Sequence, residues 1–469
     1  MQLSNDQQQA MDKVVSWWHD SRKTTEPFVL TGGAGTGKST IVKEIMKELA
    51  IPVEDVLMLA PTGTAVKNIQ QKNPGYQAQT ISGFIEKPFT AMDIVDNASG
   101  DTVLSLMGRL DMRKVDIGLA MERPFNPSDP NYVATVNRLI SSKGQYVELR
   151  VGFKFNDDIH AMFKFLLIDE WGMVSQTKAV QLQSLGIPIL ALGDPYQLKP
   201  VASAQNDLIN QPKRTFYHEL TTTHRQAGGN PILDVATSAR NGQDWRATAQ
   251  QVAGSNVAYR PTLRENRRKM IDLILRADVV LATSNSAVRH YNYVGHNARF
   301  SAKTTFGIDE PILFTANTRA KDTLGAPVFT NGTLGRVVAV HEQSNNEKSA
   351  GVQRIDVVVN DERYSVLANT LNLTDSRVSN SSLIKSQGSH IQHVMRDRGN
   401  LQDTLDYSQC SIDEIVYLAY GYAMTVHKSQ GKEWDNVVFD TAIPQRMHAT
   451  EQPLVYTAIT RAKQNLIFV

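Results

Sequence analysis

The run Gly32-Gly33-Ala34-Gly35-Thr36-Gly37-Lys38-Ser39 constrains this chain more than any other feature. It follows the apolar stretch Phe28 to Leu30. It precedes STIVKEIMKELA, where Ile41, Val42, Ile45, Met46 and Leu49 fall on one helical stripe. A strand, a glycine loop and an amphipathic helix, in that order, are the context that the pattern GxxxxGK[ST] requires. Glycines let backbone N–H groups curl around phosphates at a helix N-terminus; Lys38 can reach the β- and γ-phosphates, and the Ser39 hydroxyl can ligate Mg²⁺. By itself the loop specifies only a nucleoside triphosphate, since kinases and GTPases carry it too.

Further along, Phe165 to Ile168 form an apolar strand that delivers Asp169 and Glu170 to its carboxyl end. Adjacent carboxylates there suit two roles, Asp169 holding Mg²⁺ and Glu170 orienting and deprotonating an attacking water. An Asp-Glu pair after a strand can also do no more than complement a helix dipole, so the motif draws its meaning from the loop upstream. Gly193-Asp194-Pro195-Tyr196-Gln197-Leu198 follows another buried strand. Gln197 could hydrogen-bond both a γ-phosphate and the attacking water; the bland alternative is a Gly/Asp/Pro turn. Arg225, after Leu220, and Arg461, in YTAITRAK, are candidates to neutralise transition-state charge.

At 469 residues the chain is long enough for two to four domains, since single cores stop growing near about 250 residues. Its 49 Lys+Arg against 47 Asp+Glu give net +2, so any grip on nucleic acid must come from a local stripe of positive charge. A single cysteine, Cys410, excludes an intrachain disulfide framework and a Cys-cluster metal site, and fits a reducing cytosol. The start, MQLSNDQQQAMDKVV, has no basic segment leading into an apolar core, and no stretch approaches ~18 uninterrupted apolar residues, so a cytoplasmic protein is expected.

Short apolar runs recur at Phe28 to Leu30, Val56 to Ala60, Phe163 to Ile168, Ile187 to Leu192, Val279 to Ala282 and Val437 to Phe439, with helical patterns between several of them. Such runs read as strands buried on both faces of parallel sheets, which makes the chain α/β. Residues 86–160 lack a clear sheet-core run and read as an insertion. Residues 301–415, with the alternating VQRIDVVVNDERYSVL, read as a small antiparallel unit.

In their order these motifs resemble the superfamily 1 helicases of the RecD/Dda-like branch, over nearly the whole chain. Gln7 looks like the adenine-reading glutamine, GGAGTGKST like motif I, and Leu59 to Ala65 like motif Ia; Thr80-Ile81-Ser82 is similar to the short DNA-contacting motif that follows. LLIDE resembles motif II, Gly193 to Val201 motif III, and Ala282 to Asn285 motif IV. Tyr422 to Trp434, with HKSQG, is similar to motif V, and YTAITRAK to motif VI.

The resemblance implies two RecA-like parallel-sheet P-loop motor domains, at 1–85 plus 161–226 and at 227–300 plus 416–469. A pin-type insertion would fill 86–160 and an SH3-like β unit 301–415. ATP and Mg²⁺ would sit in the cleft between the motors. Lys38, Asp169, Glu170, Gln197, Arg225 and Arg461 would be catalytic. Gln7, Gly33, Ala34, Gly35, Thr36, Gly37, Lys38, Ser39, Thr40, Gln430 and Gly431 would bind nucleotide, with Ser39 and Asp169 on the metal. Pro61, Thr62, Gly63, Thr80, Thr425 and His427 would touch DNA, and Phe84, Tyr196 and Trp434 could stack bases. The implied partners are single-stranded DNA and forked or tailed duplex, with single-strand-binding and replication proteins; the implied state is a monomer moving 5′ to 3′.

Trp171-Gly172-Met173 stands where the family has a small residue then Ser-Met, Lys199 where it has proline, and Ser82 where histidine is frequent. Ser4-Asn-Asp-Gln7 also fits a capping box, a rival account of Gln7. HKSQG and ITRA argue against a P-loop kinase or switch, and the intact set Lys38, Glu170, Gln197 and Arg461 argues against a DNA-binding protein without hydrolysis, while RNA as the track stays open.

Overall fold

The computed structural model describes residues 3–88, 153–156, 159, 162–199, 216–222, 229–254, 256–300, 304–318, 328–371, 373–374, 411–445, 447 and 451–469. The chain forms two compact units. One comprises residues 1–80, 163–179 and 187–469; the other comprises 81–162 with 180–186.

The larger unit contains two wholly parallel sheets. The first has six strands in the order Gln77–Thr80, Val56–Ala60, Phe165–Ile168, Ile189–Gly193, Phe28–Gly32 and Tyr217–Leu220. The four central strands are buried along their whole length, the pattern of a sheet covered on both faces by helices. Helices Asn5–Trp18 and Lys38–Glu48 pack against each other. Their apolar stripes, including Val14, Trp17, Ile41 and Ile45, join Phe28, Leu30 and Phe165 in one core. Each such side chain, fully buried, contributes roughly 1.5–3 kcal/mol. The runs at Phe163 and Ile187 begin two residues before their strands; in the second, Pro188 has no N–H and offers only its carbonyl, to Leu166 N–H.

The second parallel sheet runs Ala423–Thr425, Val279–Ala282, Trp434–Phe439, Ala462–Phe468 and Val257–Tyr259. Between its strands Val279–Ala282 and Ala423–Thr425 lies a further six-stranded sheet, ordered Ser411–Val416, Glu362–Asn369, Val352–Val359, Leu334–Val340, Pro311–Phe314 and Leu418–Tyr420. Its pairs are antiparallel except that of Glu362–Asn369 with Ser411–Val416. The α/β reading, with two parallel sheets, is therefore what the chain adopts. No helix among the described residues is long and apolar enough to cross a membrane.

In the smaller unit, Ile81–Ile85 is helical, and Glu86–Pro88 pairs antiparallel with Phe153–Phe155. Most of the expected insertion at 86–160 lies outside the described residues, as do Arg225 and Cys410.

Candidate nucleotide-binding site

The phosphate loop leaves the strand Phe28–Gly32 and enters the helix Lys38–Glu48 through Gly35 and Gly37, at φ 79° and 81°. Both angles lie in the left-handed region that glycine adopts without steric cost. Gly32 is required for another reason: a Cβ there would lie 2.5 Å from Thr36 Oγ1 and 3.0 Å from the Leu220 carbonyl oxygen. Lys38 Nζ donates to the carbonyls of Gly32 at 2.5 Å and Gly33 at 3.0 Å, which holds its ammonium at the mouth of the loop.

The loop opens on a cavity of about 590 Å³. Ala34, Gly35, Thr36, Gly37, Lys38, Ser39 and Thr40 line one wall, and Asp169, Glu170, Asp194 and Gln197 line another. Gly431, Glu433 and Arg461, which lead into the strands Trp434–Phe439 and Ala462–Phe468 of the second parallel sheet, complete the lining. Asp169 and Glu170 follow their strand directly, and Glu170 stands at φ 53°, ψ 42°, a conformation rare for a non-glycine residue. Such backbone costs on the order of 1–3 kcal/mol and concentrates at functional sites.

Burial, reinforced by the charge of Asp169, pushes the Glu170 carboxyl up to about 7, while Arg461 and Lys38 oppose the rise. Burial also raises Asp169, against the Glu170 N–H that Oδ1 accepts at 2.9 Å and the charges of Lys38 and Lys72. A carboxyl near neutrality can take a proton from water, which suits a general base.

Ser39 and Asp169 share this cavity, and among the described residues only one Asp169 oxygen is taken by a protein hydrogen bond. One carboxylate and one hydroxyl are the donor set of a Mg²⁺ ion that keeps waters and phosphate oxygens as its other ligands. The residues present therefore fit the metal the sequence implied.

Gln197 donates Nε2 to Asp194 Oδ2 at 3.3 Å, while its Oε1 is buried with no hydrogen-bond partner among the described residues. Arg461 is buried and donates Nε to Thr457 O, Nη1 to Lys432 O and Nη2 to Thr460 Oγ1, at 2.9, 3.0 and 3.0 Å. Three hydrogen bonds fix the guanidinium at the cavity wall.

Gln7 behaves as the capping-box reading expected. Its Oε1 accepts from Ser4 N–H at 3.1 Å and its backbone N–H donates to Ser4 Oγ at 3.3 Å. It does not line the cavity, and Gly33 and Gln430 do not either.

Pro61, Thr62, Gly63 and Thr80 gather at the carboxyl edge of the first sheet, and Thr425 and His427 at that of the second. Carboxyl edges are where open α/β sheets bind ligands. Thr62 Oγ1 accepts Ala65 N–H at 3.2 Å, capping the helix Gly63–Lys72, and Thr425 Oγ1 accepts Lys428 N–H at 3.3 Å. Each hydroxyl keeps a proton to donate. Burial lowers the pKa of His427 and favours the neutral ring. Of the aromatics suggested for base stacking, Phe84 is buried, Trp434 packs on the core of the second sheet, and Tyr196 meets Tyr456 edge-on at 6.2 Å under the Arg240 guanidinium.

Sequence reasoning missed Asn68, Gln71 and Lys72, which join the cavity wall with Ala65. Their spacing of three and four on one helix was the available signal. It also missed Tyr456, whose hydroxyl accepts Ala34 N–H at 3.0 Å.

Comparison with known proteins places residues 2–258 in a model described as an AAA domain and residues 420–469 in one described as a UvrD-like helicase C-terminal domain. The chain is 23% identical over 449 residues to the ATP-dependent RecD2 DNA helicase of Deinococcus radiodurans, covering 93% of this chain and 46% of that one. It thus spans about half the length of that relative. It is 22% identical over 474 residues to the ATP-dependent DNA helicase dda of Enterobacteria phage T4, covering 94% and 93%. Among solved structures it is similar to the Pif1 helicase of Candida albicans, at 16% identity and a TM-score of 0.49, covering 100% of this chain and 94% of that one. A Bacteroides Pif1 helicase in complex with ADP-AlF3 and ssDNA is similar at 15% identity and the same TM-score, covering 100% and 92%.

Proposed function

Since the chain belongs to the AAA-domain proteins with a UvrD-like helicase C-terminal domain, within the RecD/Dda-like superfamily 1 helicases, we propose that it is an ATP-dependent DNA helicase. It moves along single-stranded DNA, 5′ to 3′, and opens duplex ahead of it. What carries the reading is a single cavity that unites the phosphate loop, the Asp169–Glu170 pair and Gln197 with Arg461 from the other parallel sheet.

ATP is the substrate. Backbone N–H groups of the loop and the Lys38 ammonium bind its phosphates. Glu170, its carboxyl at about 7, takes a proton from water. The water oxygen bonds to the γ-phosphorus as the bond to the ADP oxygen breaks. Gln197, which lines the same cavity, is proposed to orient that water through its side-chain amide. Arg461 faces the charge developing on the transferred group; Arg225 is proposed as a second such arginine. Ser39 and Asp169 would hold Mg²⁺, which supplies neutralisation of phosphate charge when bound.

Because Arg461 and the loop belong to different sheets, bonds made to the γ-phosphate join the two motors. Hydrolysis removes that attraction, and the alternation moves DNA-gripping loops stepwise. Thr62, Gly63, Thr80, Thr425 and His427, with Pro61, are proposed to hold the DNA backbone, since short hydroxyl side chains and main-chain N–H groups suit phosphates. The insertion at 301–415 is proposed to cover the strand, and residues 86–160 to split the duplex. Single-stranded and forked or tailed DNA are the partners, and the chain works in the cytoplasm. The first test is ATP hydrolysis with Mg²⁺, with and without single-stranded DNA. Strong stimulation is expected, and a flat response would return the site to the P-loop switches.

A further inference from the structure

Tyr456 lies on the helix Glu451–Ile459, whose apolar face packs in the core of the second parallel sheet. Its hydroxyl leaves that core and reaches residues of the first. There it accepts Ala34 N–H at 3.0 Å and donates to Asp194 Oδ2 at 2.9 Å. The directions follow from the partners, because an amide N–H only donates and a carboxylate only accepts. Tyr456 and Asp194 are 3% and 4% exposed, so neither bond competes with bulk water. Burial beside the Asp194 carboxylate holds the hydroxyl's pKa well above the usual tyrosine value, and it stays a donor. The approach is close: a Cβ on Gly33 would lie 3.2 Å from the Tyr456 oxygen, tighter than most such contacts.

The carboxylate that Tyr456 grips is the one that holds Gln197. Asp194 Oδ2 takes both the Tyr456 hydroxyl and Gln197 Nε2, at 2.9 and 3.3 Å, while Oδ1 takes Tyr196 N–H at 3.0 Å. We propose that Tyr456 is a positioning residue for hydrolysis: its hydroxyl fixes Asp194, which fixes the side-chain amide of Gln197 at the cavity wall. The same hydroxyl ties the third residue of the phosphate loop to the helix that ends beside Arg461. One oxygen thus links the loop, the Gln197 arm and the arginine-bearing helix.

This inference rests on the ATPase reading, and its test separates the two. ATP hydrolysis at saturating single-stranded DNA would be measured for the wild-type chain, Tyr456→Phe, Gln197→Ala and the double variant, each with its thermal unfolding midpoint. Phenylalanine keeps the ring in the core and removes only the hydroxyl. The expected result is a kcat about tenfold lower for Tyr456→Phe, a KM for ATP within about threefold of wild type, and no further loss when it is added to Gln197→Ala. Asp194→Ala removes the acceptor at the other end of the same link, is expected to give the same split, and serves if Tyr456→Phe folds poorly. A wild-type kcat in Tyr456→Phe, or losses that multiply in the double variant, would overturn the inference and leave the ATPase reading standing. A wild-type chain that hydrolyses no ATP would overturn both.

Discussion

Gln430 donates its side-chain amide to the Leu198 carbonyl at 2.8 Å, and Thr457 Oγ1 accepts the Leu198 N–H at 3.0 Å. Both backbone polar groups of Leu198, the residue after Gln197, are therefore held by side chains from the second parallel sheet and its helix. The geometry of the Gln197 arm is set from across the cavity. Gln430→Ala leaves a buried carbonyl without its donor, at a cost of about 1–3 kcal/mol. The expected outcome is a lower unfolding midpoint together with a fall in kcat for DNA-stimulated ATP hydrolysis. A midpoint that falls with kcat unchanged would assign Gln430 to stability alone.

The environment of Glu170 fixes the sign of a pH dependence. A general base acts in its ionised form, and this carboxyl is pushed up to about 7 by burial and by Asp169. ATP turnover should rise with pH through about 7 and flatten above it. The sign for folding is opposite, because a carboxyl raised above its unfolded value stabilises the protonated state, and that contribution is lost as pH climbs through about 7. Glu170→Gln is expected to bind ATP while losing turnover at least ~100-fold, and to lose this limb of the pH profile.

Gly63 packs where no side chain fits. A Cβ there would lie 2.1 Å from Thr330 Cγ2 and 2.5 Å from Thr330 Cβ, and Lys67 on the same helix donates to Val328 O at 3.0 Å. Gly63→Ala should destabilise the chain by about 1–3 kcal/mol through overpacking and weaken its hold on single-stranded DNA. Thr330→Gly in the same chain is expected to restore much of both. Thermal unfolding and a DNA titration read the two effects, and a Gly63→Ala chain that matches wild type in both would remove the contact from the account.

Lys432 is buried with its ammonium on the carbonyls of Gly332, at 2.5 Å, and Lys428, at 3.2 Å. Burial, with the charge of Lys428, pushes its pKa down to about 7. Below about 7 the amine is charged whether folded or unfolded; above it the folded chain releases its proton first, so this group's contribution to stability grows as pH rises from about 7 toward 10. Lys432→Met should remove that increment. The check is the difference in unfolding midpoint between wild type and Lys432→Met at pH 7 and pH 9, and a constant difference would contradict it.

What could be read from the sequence was what a short window determines. The phosphate loop follows from glycines that accept positive φ between a buried strand and an amphipathic helix. Asp169 and Glu170 follow from a strand that ends in two carboxylates. The capping role of Gln7 follows from Ser4 three residues before it. The helical stripe of Ile41, Val42 and Ile45 appears in the core as the period of 3.6 requires.

The tertiary structure decided which distant groups meet these. Tyr456 reaches Ala34 across 422 residues of chain, and Thr457 reaches Leu198 across 259. No periodicity or turn rule operates over such separations, because the pairing is set by how two sheets and their helices pack. The sequence by itself determined the chemistry available at each strand end. Only packing determined the left-handed backbone of Glu170, the burial that raises its carboxyl, the three bonds that hold Arg461, and the hydroxyl that ties the loop to Asp194. Each depends on the dielectric and hydrogen-bond partners that neighbouring elements supply.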